Sequence, residues 1–180
     1  MVYCFLADGF EEVEAIAPVD MLRRAGVEVK TVGVTGDVVT SSHGIGVVAD
    51  IALCDVALDE NIEAVILPGG LPGATNLEDS AQVQKAIDFA NEKGMYVCAI
   101  CAAPQILGHK GLLEGKEAIA YPGFENELKG AKISHEYVVL DGNIITAKGA
   151  GVATEFGLKI VEVLKGADLA EKIGKAIQMK

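Results

Sequence analysis

The sequence predicts an α/β fold built on a mostly parallel central sheet. Two observations support this prediction: short apolar runs of about five to eight residues, and helical patterns that alternate with them. Apolar runs of that length, bounded by Gly, Pro or charge, are typical of strands that are buried on both faces of a parallel sheet. The alternation indicates βα units, because parallel strands need a crossover connection between them.

Five strands are predicted from the apolar runs, at residues 2–7, 27–34, 63–70, 95–101 and 143–149. Helical periodicity follows four of them, at residues 11–26, 80–94, 102–111 and 151–166. A glycine stands where each helical pattern stops, as a C-terminal cap requires: Gly26, Gly94, Gly111 and Gly166. Residues 168–180 are expected to form a short amphipathic helix.

Two segments interrupt this alternation with hairpin signals, and we expect them to add antiparallel strands to the main sheet. Residues 38–50 carry Gly44 and Gly46, and residues 135–147 contain the turn pair Asp141-Gly142. No linker, internal repeat or charge block divides the chain, and 180 residues suit one domain. Residues 1–180 are therefore predicted to form a single domain.

Composition narrows the class of protein and its compartment. A hydrophobic content of 51% excludes a disordered chain, and a net charge of −11 excludes a basic surface for nucleic acid or anionic membrane. No apolar run approaches the roughly 18 residues of a membrane span, and no basic region precedes the first run. Four irregularly spaced cysteines favour a reducing compartment, so we expect a cytoplasmic protein.

Cys101 is the first candidate for chemistry, because it stands where a predicted strand meets a predicted helix. Ligands of open α/β sheets bind at that edge. Ala99 and Ala103 supply the small residues that a nucleophile elbow needs two positions before and after its nucleophile. A thiol at a helix N-terminus also gains thiolate character. The alternative is a buried cysteine that acts as a small hydrophobic residue.

Cys98 and Cys101 form a C-x-x-C pair, which raises redox and zinc alternatives. On a strand the two residues would lie about 10 Å apart on opposite faces, beyond the roughly 7 Å between Cα atoms that a disulfide tolerates. A zinc site would need two further ligands, and no second cysteine pair or paired histidines supply them. We therefore expect no metal.

Gly69 and Gly70 end another predicted strand at the same edge of the sheet. Glycines let backbone N–H groups approach a ligand, so these two and the N–H of Ala102 can form an oxyanion hole. The alternative is a tight turn that requires positive φ. The Gly149-Ala150-Gly151 stretch imitates a dinucleotide motif, but no later strand carries a ribose-binding acid, and we expect no cofactor.

Glu14 is the third candidate. Because Pro18 cannot donate the helical hydrogen bond to the Glu14 carbonyl, the helix is expected to kink or break there. Apolar neighbours favour partial burial and a raised pKa, and a protonated carboxyl can donate a hydrogen bond to a thiolate. The alternative is an acidic first turn that only complements the helix dipole, the role expected for Glu11 and Glu12.

None of the three histidines is well placed to act as a base for Cys101. His109 lies eight residues further along what should be one helix, which corresponds to about 12 Å. His43 and His135 lie in or beside the hairpin segments, and we expect them at the surface.

Five motifs taken in chain order resemble the ThiJ/PfpI superfamily, in the branch of the parkinsonism-associated protein deglycase: ADGFEEVEAIAPVDMLRRAG, VILPGG, AICAAP, AYPGFE and DGNIITAKGAGVATEFGLKIVEVL. The resemblance implies a flavodoxin-like three-layer sandwich, a homodimer and an elbow cysteine that ionises and oxidises readily. By motif position it implies that Cys101 is the nucleophile and that Glu14 hydrogen-bonds it. Gly69, Gly70 and Ala102 match the backbone donors near the sulfur.

This sequence departs from the superfamily at three positions. Tyr121 stands where some members carry a histidine, which removes an imidazole base and leaves Tyr121 to bind or position substrate. Lys148 replaces an arginine and loses bidentate binding. Ala102 follows the cysteine where protease-like members carry histidine, which argues against peptidase activity.

The resemblance implies conversion of 2-oxoaldehydes such as methylglyoxal and glyoxal to hydroxy acids by Cys101, without glutathione or metal. It equally implies removal of early glycation adducts, so the partner is a small aldehyde or a glycated protein. Two alternatives stay open. One is a redox sensor or stress-response protein in which Cys101 oxidises to sulfinic acid, and the other is a ligand-binding module without chemistry.

Overall fold

The computed structural model describes residues 1–179. Its strands, numbered in chain order, are β1 (Val2–Leu6), β2 (Val29–Gly33), β3 (Val38–Thr40), β4 (Gly46–Val48), β5 (Ile51–Ala52), β6 (Ala64–Leu67), β7 (Tyr96–Ile100), β8 (Glu117–Ala118), β9 (Lys132–Ile133), β10 (Val138–Asp141) and β11 (Ile144–Ala147). Its helices are α1 (Glu12–Arg24), α2 (Gly73–Asp79), α3 (Ala81–Glu92), α4 (Pro104–His109), α5 (Ala153–Lys165) and α6 (Ala167–Ala176).

Seven strands form the central sheet, in the order β10-β11-β7-β6-β1-β2-β5. All its pairs are parallel except the hairpin of β10 and β11, so the predicted mostly parallel sheet and the hairpin at 135–147 are confirmed. In the register, Leu67 of β6 lies opposite Ala99 of β7. The chain therefore leaves both strands side by side, which brings Gly69 next to Cys101.

Apolar side chains cover both faces of the sheet and produce three layers. On β1, Cys4 and Leu6 pack with α1, α5 and α6, whereas Tyr3 and Phe5 pack with α2, α3 and α4. This alternation follows from the two-residue period of a strand. The four predicted helices correspond to α1, α3, α4 and α5, and the predicted C-terminal helix is α6.

The predicted glycine caps are confirmed, because all four glycines adopt positive φ just beyond a helix: Gly26, Gly94, Gly111 and Gly166. Among residues 1–179, the helices are too short and too polar for any of them to cross a bilayer.

The hairpin at 38–50 differs from the prediction. Its strands β3 and β4 are antiparallel but form a separate two-stranded sheet. The edge position beside β2 is taken by β5. The hairpin instead binds the loop after β1, where the Gly9 N–H donates to the Thr40 carbonyl and the Ser42 N–H donates to the Phe10 carbonyl.

Helix α1 continues through Pro18, so the break offered as one alternative does not occur. Close packing accompanies this continuity: a Cβ on Gly157 of α5 would lie 2.7 Å from the Pro18 Cα. Helix α2 was not predicted, since its residues GATNLED show no apolar period and resemble a loop. Tertiary packing outweighs local propensity in both places.

Candidate active site

The strand β7 turns sharply into α4 at Cys101, which has φ 65°, a left-handed conformation rare for a residue with a side chain. The backbone around it is held from two sides. The Cys101 N–H donates to the Ala147 carbonyl at 2.9 Å, and its carbonyl accepts from the Tyr121 N–H at 2.8 Å. The corner therefore has the strained geometry of a nucleophile elbow, with the thiol half-buried.

Gly69 lies so close to this corner that no larger residue fits. A Cβ at this position would come within 2.6 Å of both the Cys101 Cβ and the Glu14 Oε2. The Gly69 N–H donates to Glu14 Oε2 at 3.0 Å. The N–H groups of Gly70 and Ala102 face the Cys101 sulfur and lower the pKa of its thiol.

Two of the three predicted N–H donors thus lie at the sulfur. Gly70 and Ala102 are placed there as the resemblance implied, whereas Gly69 orients the carboxyl group.

Glu14 is buried, with 1% of its surface exposed, and its carboxyl group lies against the thiol of Cys101. Besides Gly69, the N–H of Ala150 donates to it. The first turn of α1 is fixed by Glu11, whose Oε2 accepts the Glu14 N–H at 2.7 Å. Glu11 is therefore an N-cap, a more specific role than the dipole partner expected from the sequence.

Burial sets the protonation of this pair. Burial raises the pKa of the Glu14 carboxyl to about 7, as the sequence predicted in direction. The pKa of the Cys101 thiol is raised to about 12, first by burial and then by the Glu14 charge, and these effects outweigh the N–H groups of Gly70 and Ala102. The raised pKa of the thiol opposes the thiolate character expected from a helix N-terminus, and α4 begins only at Pro104.

A cavity of about 420 Å³ lies near the pair, although neither Cys101 nor Glu14 lines it. Tyr121, Pro122, Tyr137, Lys148 and residues 149–152 line it. A Cβ on Gly149 would lie 3.8 Å from Glu14 Oε1 and 3.2 Å from Tyr121 Cδ2, so this wall residue is close to the carboxyl group.

Tyr137 and Ala150 were not predicted as site residues. An alanine contributes here only a backbone N–H, which carries no sequence signal. Tyr137 lies sixteen residues beyond Tyr121, and only the fold brings the two together on one wall.

The histidines bind other groups than the thiol. His43 contacts Glu12, and His109 contacts Glu78 and Glu127 through its two ring nitrogens. His135 is exposed, as expected. Glu11, Glu12 and His43 place ligand atoms within 4.8 Å of one another, but the Glu11 carboxylate caps α1 and Glu12 pairs with His43.

The other cysteines lie in different environments. Cys4 and Cys98 are buried in the core, where burial raises the pKa of both thiols, that of Cys4 to about 12. Cys54 is exposed. All four cysteines are free.

The nucleophile elbow at Cys101, the buried Glu14 beside it and the three-layer sandwich together define a class of protein. A match to a protein-family model confirms that class. The DJ-1/PfpI family matches residues 1–163, so the chain belongs to the DJ-1/PfpI family, as its five motifs indicated.

Particular members resemble it over nearly their whole length. Protein dj-1beta of Drosophila melanogaster is 37% identical over 175 residues, which cover 96% of this chain and 93% of that protein. The glutathione-independent glyoxalase DJR-1.2 of Caenorhabditis elegans is 32% identical over 168 residues, covering 93% and 89%. The solved structure of oxidized Toxoplasma gondii DJ-1 superposes with a TM-score of 0.93 at 35% identity, covering 98% of this chain and 97% of that one. The flavodoxin-like fold is thereby confirmed.

Proposed function

We propose that the protein converts 2-oxoaldehydes such as methylglyoxal and glyoxal to 2-hydroxy acids, with Cys101 as nucleophile and without glutathione. The observation that carries the proposal is the contact between the Cys101 thiol and a buried carboxyl group whose pKa is about 7. A group with that pKa accepts and returns protons efficiently at neutral pH. The Caenorhabditis elegans relative is named a glutathione-independent glyoxalase, which supports the same activity here.

In the first step the Cys101 sulfur attacks the aldehyde carbon while the Glu14 carboxylate accepts the thiol proton. The thiol is neutral at rest because its pKa is high, so this proton transfer is what generates the nucleophile. The aldehyde oxygen gains the negative charge and takes hydrogen bonds from the N–H groups of Gly70 and Ala102, which lie at the sulfur. Protonation of that oxygen by Glu14 completes a hemithioacetal.

In the second step Glu14 removes the proton from the former aldehyde carbon and returns it to the neighbouring carbon, while the hydroxyl proton of the hemithioacetal moves to the neighbouring ketone oxygen. The first carbon is oxidised to a thioester and the second is reduced to an alcohol, so no external oxidant is needed. Water then cleaves the thioester, which releases the hydroxy acid and restores the thiol. The net reaction consumes one water for each oxoaldehyde.

The same addition chemistry supports a second substrate source, early adducts that such aldehydes form on protein side chains. A half-buried thiol beside a cavity of about 420 Å³ can reach the carbonyl-derived carbon of a small adduct. We therefore extend the proposal to deglycation of proteins, which is tested by release of hydroxy acid from a methylglyoxal-treated peptide.

The decisive experiment measures lactate formed from methylglyoxal under reducing conditions. We expect Cys101→Ser to abolish the reaction and Glu14→Gln to reduce it by roughly a hundredfold or more, since a general base contributes about 10²–10⁴. Tyr121→Phe should retain most activity because its backbone N–H, which holds the elbow, is unchanged. Equal lactate production by wild type and Cys101→Ser would refute the proposal.

A redox-sensing role is the second candidate, because the similar Toxoplasma gondii structure is described as that of an oxidized protein. Two equivalents of peroxide would convert the Cys101 thiol to sulfinic acid, because each peroxide delivers one oxygen to the sulfur and leaves as water. The protonated Glu14 carboxyl would then donate a hydrogen bond to the sulfinic acid. Intact-protein and peptide mass spectrometry after peroxide treatment tests this role. The exposed Cys54 is the internal control, and equal oxidation of both cysteines argues against a sensor.

We also propose that the protein forms a homodimer. Apolar side chains of α1 and the β3–β4 hairpin are exposed beside one another: Val13, Ile16, Ile45 and Val48. A second copy of the chain would cover them. Light scattering should report a dimer for wild type and a monomer for Val48→Lys, whereas Leu140→Lys at the opposite edge of the sheet should remain dimeric.

Four free thiols favour a reducing compartment, and we propose that the protein is located in the cytoplasm. Fractionation of cells with an antibody to the native protein tests this location.

A further inference from the structure

The cavity beside Glu14 is larger than methylglyoxal requires. Methylglyoxal has five heavy atoms, whereas about 420 Å³ lies within the range of pockets that hold much larger ligands. Two aromatic rings, those of Tyr121 and Tyr137, lie on its wall and are 51% and 60% exposed. The proposed chemistry at Cys101 leaves this surface unused.

Wall residues of the cavity also surround the reacting groups. The N–H of Ala150 lowers the pKa of Glu14, and Tyr121 donates its N–H to the Cys101 carbonyl. The Gly149 position lies between Tyr121 and Glu14. Gly149 therefore marks the side on which the substituent of a substrate held at Cys101 would enter the cavity.

Lys148 gives the cavity its charge. It is the only charged residue on the wall, and across residues 1–179 its ammonium group makes no ion pair or hydrogen bond. The ammonium lies 5.0 Å from the centre of the Tyr137 ring, and the Lys148 N–H donates to the Tyr137 carbonyl. In a chain of net charge −11, this places one cation without a partner beside an aromatic ring.

We propose that the cavity selects 2-oxoaldehydes that carry a flat apolar body and a carboxylate, with the body against Tyr137 and Tyr121 and the carboxylate on Lys148. This proposal rests on the proposed function, because it identifies the substrate class of the same site. A planar body gains contact with both rings, and the carboxylate replaces the missing partner of the ammonium. The reaction keeps its balance, since one water and one arylglyoxal give one mandelate-type acid.

A matched pair of substrates tests the charge. Phenylglyoxal and 4-carboxyphenylglyoxal differ by one carboxylate, and wild type should turn over the second with a roughly tenfold higher kcat/KM, the effect of one charged hydrogen bond. The ratio should fall towards one in Lys148→Met and in high salt. Lys172→Met, an exposed lysine on α6, should keep the wild-type ratio. An equal ratio in wild type and Lys148→Met would overturn the proposal.

Tyr137→Ala tests the apolar part. The kcat/KM for phenylglyoxal should fall by a larger factor than that for methylglyoxal, because only phenylglyoxal reaches the ring. Equal factors for the two substrates would show that the ring does not contact substrate.

A binding measurement separates this proposal from the proposed function. 4-Acetylbenzoate and acetophenone lack the aldehyde, so their affinities, measured by NMR titration of the wild type and Lys148→Met, do not depend on turnover. Tighter binding of 4-acetylbenzoate that disappears in Lys148→Met supports the cavity assignment even where Cys101→Ser shows that turnover is absent. Equal affinities for the two ketones would overturn the assignment while lactate formation stands.

Discussion

At each end of α4 a carboxyl group contacts a titratable partner, but one of these contacts is buried and the other lies near solvent. Before its first residue, Glu14 meets Cys101 in a buried site, and burial raises the pKa of the carboxyl to about 7. At its last residue, His109 lies between Glu78 and Glu127 near solvent, where hydrogen bonds raise the pKa of the histidine and lower that of Glu127. Similar contacts therefore favour the protonated acid in one place and the ion pair in the other.

The geometry of His109 agrees with a charged ring. Both nitrogens face carboxylate oxygens, and a neutral imidazole has only one N–H to donate. Water around this cluster limits the desolvation cost that dominates at Glu14. The comparison shows that access to water, more than the identity of the partner, decides which carboxyl of this protein can serve as a proton acceptor near neutral pH.

Gly69→Ala is expected to lower both rate and stability, because it breaks the buried pair. The new methyl group would lie 2.6 Å from both the Cys101 Cβ and the Glu14 Oε2, so one of them must move. A displacement of about 1 Å costs on the order of a hundredfold in rate, and overpacking costs about 1–3 kcal/mol of stability. Lactate formation and urea unfolding measure the two effects.

Gly174→Ala is the matched control for that substitution. Gly174 lies on α6, and its new methyl group would make an ordinary contact at 3.5 Å with Leu158 of α5. Activity should therefore persist, and stability should rise by up to about 1 kcal/mol. Full activity of Gly69→Ala would show that the two groups need no close approach.

Glu14→Gln sharpens the comparison through pH. The folded-state pKa of about 7 exceeds the usual carboxyl value of 4.5, so the folded protein binds more protons than the unfolded chain between these pH values. Its stability therefore falls as pH rises from about 4.5 to 7. Glu14→Gln removes this pH dependence, so its free energy of unfolding at pH 8 should exceed that of wild type by about 2–3 kcal/mol. At pH 4 the two free energies of unfolding should be equal.

Urea unfolding across pH measures this difference, and Glu92→Gln on the exposed surface of α3 is the control. In activity, the wild-type kcat/KM should fall as pH drops through 7 because the base becomes protonated, and Glu14→Gln should lose this limb. A stability difference that does not change with pH would contradict the raised pKa.

His109→Gln gives the smallest expected effect and the opposite pH dependence. A raised histidine pKa stabilises the fold fully below the unfolded value of 6.5, and this contribution disappears as pH rises through the folded-state value. The variant should therefore be less stable than wild type at pH 6 and nearly equal at pH 9. The loss should stay below the Glu14→Gln effect because the ion pairs are partly exposed.

His135→Gln, at an exposed histidine outside this cluster, should not change unfolding at either pH. A His109→Gln loss of the same size at pH 9 would indicate that packing, and not charge, holds the cluster.

Local patterns in the sequence determined most of the fold. The apolar runs produced β1, β2, β6, β7 and β11, and glycines marked the ends of α1, α3, α4 and α5, because strand burial and helix capping depend on residues close in the chain. The elbow was readable from Ala99 and Ala103 for the same reason. Glu14 was found from its apolar neighbours, and its raised pKa follows from the burial they indicated.

The tertiary structure decided the features that depend on distant contacts. Fifty-five residues separate Glu14 from the Gly69 N–H that orients it, and backbone donors such as this one carry no residue signature. The same is true of Ala150, and of the cavity that joins Tyr137 and Lys148 to Tyr121. The hairpin β3–β4 forms a sheet of its own, and β5 occupies the edge of the main sheet beside β2. The pKa of the Cys101 thiol is raised because burial destabilises the thiolate more than the N–H groups of Gly70 and Ala102 stabilise it. Only the assembled layers of the fold create that burial.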